Sequence, residues 1–300
     1  MLAIIIPFYK LTFFEATLQS LAHQSDKRFK VYIGDDASPE DCTTLLQKFE
    51  GQFDFIYHRF ETNLGGSSLT QQWERCIVLS EDEEWLMILG DDDVLGENCV
   101  SSFYENEFEI SKIKSNVVRF SSSVMNSEGA VFLGPFFHPK AELASDSYYR
   151  KTLGQTRSSL SEYIFKREVF NKYKFINYPL AWHSDDKAWL DFSENKPIYT
   201  INKAFVYVRF SAINISGKQD NILLKLTATF QFYTDLLKDK KKVFTSKQVL
   251  TLLMSFEVII KKHRKLTLNE WKFLFKYYFL TFKIVSFSKF VRRFLISRST

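Results

Sequence analysis

The sequence predicts an α/β protein built on a mostly parallel, Rossmann-like central sheet with helices on both faces, and three observations carry that reading. Short apolar runs recur at residues 2–6, 29–33 and 85–89, with a further strand near 53–57; the runs are too short for a helix and continuous enough for strands buried on both sides. Between them lie segments with apolar residues at helical spacing, through Phe14, Leu18 and Leu21, then Leu45, Leu46 and Phe49, then residues 69–79. Each apolar run stops at a polar or turn-forming string, which fixes the direction of the alternation.

Pro7 ends the first run, and GDDASPED ends the second, with Ser38, Pro39 and Glu40 forming a helix start. NLGGSS follows the third strand and GDDD follows the fourth. Ligands of open parallel sheets bind outside the carboxyl ends of the strands. Residues 7–10, 35–36, 63–68 and 91–93 would therefore share one crevice. Beyond residue 95 the alternation loosens, with strand-like pieces at 117–120, 130–133 and 204–208. After residue 220 the pattern is helical, at 223–237, 249–260 and 268–294. This divides the chain into residues 1–219, with halves 1–98 and 99–219, and a helical region 220–300.

Three hundred residues at 45% hydrophobic content bury a sizeable core, and 31 Phe, 14 Tyr and 5 Trp supply aromatic packing. Cys42, Cys76 and Cys99 form neither a CxxC knuckle nor a disulfide framework, so a reducing compartment is expected. MLAIIIPFY lacks a basic flank and reads as a strand, not a signal peptide, and no run approaches the ~18 apolar residues of a membrane span. A cytoplasmic chain, peripheral at most on the inner face of a membrane, is the expectation. Residues 261–300 hold eleven Lys or Arg against the single acid Glu270, a net of +10 within a total of +5, leaving −5 on the other 260 residues. A basic tail on an acidic body disfavours nucleic acid as partner. Lys272, Lys276 and Lys283 share a helical face, with Trp271, Phe275, Tyr278, Phe279 and Phe282 as apolar bulk. Such a face suits an anionic membrane surface or a helix packed on the body.

Asp91, Asp92 and Asp93 repel one another after a buried strand, so they either hold a divalent cation or form a solvated acidic turn. Mg²⁺ or Mn²⁺, with oxygen ligands shared with a diphosphate, suits the first reading. Asp35 and Asp36 can accept hydrogen bonds from a base or ribose, or shape an Asx-type turn. NLGGSS, with Asn63 and Gly65, allows close backbone approach to a ligand, or is a plain glycine turn; it lacks the lysine of a phosphate loop. Asp185 and Asp186 either cap a helix or provide a general base, since adjacent acids resist double ionisation and one is raised towards a useful pKa. His183 reads as ligand or structural residue, and Trp182 as sugar-stacking or core.

IIIPFY, IGDDASPED, NLGGSS followed by QQWERC, WLMILGDDDVL and later HSDDKAWL resemble, in order and spacing, the motif series of family 2 glycosyltransferases of GT-A fold, over about residues 1–216. The resemblance implies a nucleotide-sugar donor, commonly a UDP-sugar, with Pro7 and Tyr9 flanking the base and Asp36 or Asp35 bonding to it. The family often has DxDD where this chain has Gly90, Asp91, Asp92 and Asp93, and often Asn where it has Gln72. Asp92, with Asp93, falls at the metal position and Asp91 near the ribose or a metal-bound water. Asp186 falls at the position that takes the acceptor's proton, with Asp185 beside it. Arg209, Asn214 and Ser216 resemble a segment closing over the donor phosphates, and Ser158 and Ser159 one preceding the acceptor pocket. The expected activity is inverting transfer of a sugar to a hydroxyl of a glycan or lipid-linked glycan. A nucleotidyltransferase and a non-catalytic nucleotide-sugar-binding protein are the alternatives.

Overall fold

A computed structural model describes residues 1–211, 217, 220–239 and 243–299. The chain opens with β1 (Leu2–Phe8), α1 (Phe14–Ala22), β2 (Phe29–Asp35), α2 (Thr43–Gln47), β3 (Asp54–Arg59), α3 (Leu69–Val78) and β4 (Trp85–Ile88). It continues through β5 (Val94–Leu95), α4 (Cys99–Glu105), α5 (Glu107–Lys112), β6 (Val117–Met125), β7 (Val131–Phe136), β8 (Ala141–Leu143) and α6 (Ala144–Thr152). Then come β9 (Tyr163–Lys166), α7 (Arg167–Tyr173), α8 (Ser184–Phe192) and β10 (Pro197–Arg209), followed by α9 (Ile222–Asp239), α10 (Ser246–Lys261), α11 (Leu268–Phe279) and α12 (Ile284–Ser299).

The sheet runs β3-β2-β1-β4-β9-β6-β10-β5, and its β3-β2-β1-β4 portion is wholly parallel. The continuous apolar runs have the cause expected of them. In β1, Ala3 and Ile5 enter one core while Leu2, Ile4, Ile6 and Phe8 enter the other. Phe8 lies opposite Asp35, and Ile5 lies opposite Ile88. The loops after β1, β2 and β4 therefore emerge side by side.

The second half departs from expectation in three places. β9 was not foreseen: four residues long, it runs antiparallel between β4 and β6 and makes the sheet mixed. β6 continues past residue 120 because Ser121, Ser122 and Ser123 are buried in the sheet, Ser121 Oγ donating to Asn202 Oδ1 at 2.8 Å. The helix expected over 268–294 is two helices. Phe282 adopts a left-handed φ of 53°, and the chain folds back so that Tyr278 stacks on Phe290 at 4.6 Å. Of the apolar residues grouped with Lys272, Lys276 and Lys283, Trp271 and Tyr278 are buried, while Phe275, Phe279 and Phe282 are exposed.

α9 to α12 share one core with α3, α6 and α8. No helix among the described residues is long and apolar enough to cross a membrane.

Candidate active site

The loop after β4 is tied to its surroundings by its own carboxylates. Asp91 Oδ2 accepts the backbone N–H groups of Tyr9 and Lys10, both at 2.9 Å, joining the ends of β1 and β4. Burial pushes the Asp91 carboxyl up from its ordinary pKa, and those two amides oppose the shift. Asp93 is buried as well. Its Oδ1 accepts the N–H of Arg209 at 2.8 Å, and the Ser161 hydroxyl, which also accepts Gly90 N–H at 3.1 Å, bonds to it. Burial raises the Asp93 carboxyl, against the pull of Ser161 and Arg209.

Arg209, buried beneath this loop, gives Nε–H to the Asp92 carbonyl at 3.0 Å and Nη1 to the carbonyls of Asn126 and Ser127. Its guanidinium also lies 4.3 Å from the Phe13 ring centre. The arginine anticipated as a diphosphate contact thus fastens the acidic loop to the end of β6. Asn214 and Ser216, grouped with it in the sequence, lie outside the described residues.

Gly90 acquires a physical reason. A Cβ at that position would sit 2.8 Å from Asp92 Oδ1 and 3.2 Å from Asp93 Oδ2, so two carboxylate oxygens converge on the space above this glycine. Hard oxygen donors in that number suit Mg²⁺ or Mn²⁺, which takes one or two carboxylates and completes its shell with water and phosphate oxygens. Among the described residues no cluster of three or more His, Cys, Asp or Glu is grouped for a metal. Gly90→Ala is expected to push the Asp92 carboxylate aside and, if these oxygens hold a divalent ion, to weaken Mn²⁺ binding several-fold in calorimetry. Unchanged affinity would show that the space above Gly90 is not used.

Asp35 and Asp36 stand where the sequence put them, each with an arginine partner that the motif reading did not single out. Asp35 is fully buried and accepts from Ser38 N–H at 2.8 Å, the Tyr57 hydroxyl at 2.6 Å and Arg59 Nη1 at 2.7 Å. Asp36 accepts from Leu64 N–H at 2.7 Å, Gly65 N–H at 2.9 Å and Arg75 Nη2 at 2.5 Å. A Cβ on Gly65 would fall 2.5 Å from Asp36 Oδ2, so the glycine makes room for that carboxylate. Asn63 Oδ1 accepts Gly66 N–H at 2.6 Å and closes the turn. Pro7 lies within β1 opposite Gly34, one residue before the strand ends at Phe8, and the exposed Tyr9 accepts from Ser38 Oγ through its carbonyl at 2.7 Å.

α8 begins after a turn in which Leu180, Ala181 and His183 have φ of 60°, 53° and 71°. This left-handed backbone is costly for residues with side chains and holds only when its surroundings impose it. The surroundings are α6 and α9. Lys151 Nζ of α6 donates to Asp186 Oδ1 at 2.5 Å, and His183 Nδ1 lies 2.9 Å from Asp186 Oδ2. His183 Nε2 meets Thr229 Oγ1 of α9 at 3.2 Å, and its ring stacks on Phe232 at 4.6 Å.

Burial would raise the Asp186 carboxyl, but Lys151 and His183 outweigh it and hold the group down to about 2. Asp185, half-buried beside it, is pushed up to about 7 by burial and by the charge of Asp186. One of the pair is raised, as the sequence suggested: it is Asp185, and the lysine from α6 holds Asp186 down.

Ser158 and Ser159 use their hydroxyls within the protein, with Tyr163 OH at 3.0 Å and Glu162 Oε1 at 2.7 Å. Trp182 has the Lys225 ammonium 4.8 Å from its ring centre. Ser158, Lys151, Asp186 and Trp189 line a cavity of about 20 Å³, room for one water. Segment 158–163 therefore touches Asp93 through Ser161 at one end and the surroundings of Asp186 at the other. Sequence reasoning missed Lys151, Ser161 and Thr229. Ser161 lies two residues beyond Ser159 in the segment placed before the acceptor pocket, whereas Lys151 and Thr229 sit in helices that carry no motif.

Residues 3–112 match the family described as Glycosyl transferase family 2. Comparison with curated proteins gives no match. Among solved structures, TarS residues 1–349 from S. aureus in complex with UDP-GlcNAc is similar at 15% identity, covering 92% of this chain and 79% of that one, with a TM-score of 0.66. The same protein in complex with UDP gives 15% identity, 95% and 82% coverage and a TM-score of 0.62. GalNAc-T7 with UDP, GalNAc and Mn²⁺ gives 11% identity, 88% and 56% coverage and a TM-score of 0.53. At these identities the likeness is one of fold, and the fold is GT-A.

Proposed function

We propose, from a chain whose residues 3–112 match family 2 glycosyl transferases and whose fold is GT-A, that this protein transfers a sugar from a nucleotide-diphosphate donor, most simply a UDP-sugar, to a hydroxyl. The observation that carries the proposal is the pair of carboxylate oxygens from Asp92 and Asp93 above Gly90, at the end of β4. The acceptor is proposed to be a glycan or lipid-linked glycan, with residues 261–300 meeting an anionic membrane surface. The relatives that share the fold and hold UDP-GlcNAc or UDP support the donor class.

In this reading the nucleotide lies against Pro7, Tyr9, Asn63 and Gly65, with Asp35 and Asp36 shaping the turns around it and Asp91 holding the loop of Tyr9 and Lys10 in place. Asp92 and Asp93 would hold Mg²⁺ or Mn²⁺, which offsets charge developing on the departing diphosphate. The acceptor oxygen forms a bond to the anomeric carbon as the bond to the diphosphate oxygen breaks and the diphosphate leaves with the electron pair. The acceptor's proton passes to Asp186, and the anomeric configuration inverts.

A carboxylate held near pKa 2 is a weak base towards an alcohol. The proton leaves, however, when the hydroxyl oxygen is already bonding to carbon and has become strongly acidic. Asp186 is ionised throughout the physiological range, while Asp185, near 7, is only partly so. Lys151→Met should therefore raise the Asp186 pKa and move the acid limb of kcat/KM to higher pH, with Lys151→Arg close to the parent. A limb that stays in place in the methionine variant would exclude this role for Lys151.

A binding screen of nucleotide sugars tests the proposal. One or a few nucleotide-diphosphate sugars should bind and be consumed only with acceptor present. Consumption of a nucleoside triphosphate with pyrophosphate release would contradict it.

A further inference from the structure

The turn between α11 and α12 is the most exposed apolar feature of the described C-terminal region. Phe282 is 80% and Ile284 84% exposed, with Phe275, Phe279 and Val285 also outside the core. The rings form one cluster: Phe279 lies 6.4 Å from Phe282 and 5.9 Å from Phe287, and Phe275 lies 5.0 Å from Phe287. A hairpin needs no such surface to fold. Trp271, Leu274 and Tyr278 already supply its inward face, and Thr267 caps α11 with Glu270.

The charge around this tip has one sign. From residue 271 to residue 300 the sequence contains no Asp or Glu. Lys272, Lys276, Lys283, Lys289 and Arg292 are exposed, and no ion pair among the described residues involves them. The two acids nearest in the sequence are withdrawn. Glu270 is buried against Arg264, and Glu257 is buried against Lys261 and Arg293.

We infer that the α11–α12 turn is a membrane-inserting tip, in which Phe279, Phe282, Ile284 and Val285 enter the acyl boundary while the surrounding lysines meet anionic lipid headgroups. This deepens the proposed membrane contact of residues 261–300 and rests on it. The tip replaces an amphipathic helix lying flat as the means of contact. A second copy of the chain is a poorer occupant, because a symmetric contact through the same patch would bring two basic collars together. An anionic bilayer answers both features at once, offering hydrocarbon to the rings and negative charge to the collar.

The test is sedimentation of the full chain with phosphatidylcholine vesicles, with and without about 30 mol% phosphatidylglycerol. The parent should bind only the anionic vesicles. Phe279→Ser/Phe282→Ser/Val285→Ser should weaken that binding by about tenfold or more, and Lys276→Gln/Lys283→Gln/Lys289→Gln should weaken it and flatten its salt dependence. Both variants should keep the parent's circular dichroism melting curve, since these residues lie outside the core. Parent-like binding by the serine variant would overturn the tip while leaving a membrane face elsewhere in 261–300. Failure of the parent to bind would overturn both. Concentration-dependent dimerisation lost in the serine variant, without vesicle binding, would assign the patch to a second copy instead.

Discussion

Asp186→Asn is expected to lower the transfer rate by about 10²–10⁴-fold, the range typical of removing a general base, while leaving UDP affinity close to the parent's. The amide keeps the shape of the side chain and loses both its charge and its ability to take a proton. Asp186 sits among Lys151, His183 and the cavity lined by Trp189, whereas the loops proposed to hold the donor hang from β1, β2 and β4. Chemistry and donor binding should therefore separate in the kinetics, with kcat falling and UDP affinity holding. Asp185→Asn is the control, expected to retain most of its transfer activity at pH 7. Full activity in Asp186→Asn with loss in Asp185→Asn would move the base to Asp185.

Asp185→Asn is also expected to stabilise the protein, by about 2–4 kcal/mol at pH 8 and by almost nothing at pH 4. The folded-state pKa of Asp185 is raised to about 7 from an ordinary 3.8, so the fold disfavours its ionised form. The resulting penalty is absent below about pH 4, grows between 4 and 7, and is complete above 7. Removing the carboxylate removes the penalty only where it exists. Asp186 behaves in the opposite sense: its depressed pKa adds stability above about pH 4 that is lost as pH falls towards 2. Thermal melts of parent and variant at the two pH values check this. An equal shift at both, or destabilisation at pH 8, would show that Asp185 is not held in an unfavourable environment.

What the sequence made legible was what is encoded locally. The apolar runs of β1, β2 and β4 are buried on both faces, and each is followed within a few residues by its polar loop, so strand and loop could be read together. The positions of Asp35, Asp36 and Asp91 to Asp93 at one edge followed from that alternation. Their hydrogen-bond partners did not. Arg59 and Arg75 lie on β3 and α3, well away in sequence from the aspartates they serve. The same holds for Lys151 and Asp186, which are 35 residues apart and joined only by the packing of α6 on α8. The electrostatics of the acid pair, set by that lysine, could not be read from two adjacent aspartates.

Glycines were the other hidden feature. Gly90 read as a departure from a family pattern, yet two carboxylate oxygens occupy the space that its side chain would fill. The C-terminal helices looked like one long element because helical spacing continues through 280–283. The break there is made by tertiary packing of Tyr278 on Phe290, which no local pattern announces.

The measurement that bears most directly on the central claim is calorimetric titration of UDP into the parent and into Asp92→Ala, each with and without Mn²⁺. Binding in the parent should strengthen with Mn²⁺, and Asp92→Ala should lose that gain while keeping the parent's circular dichroism spectrum. Equal, metal-independent binding in both proteins would contradict the assignment of Asp92 and Asp93 to the donor diphosphate.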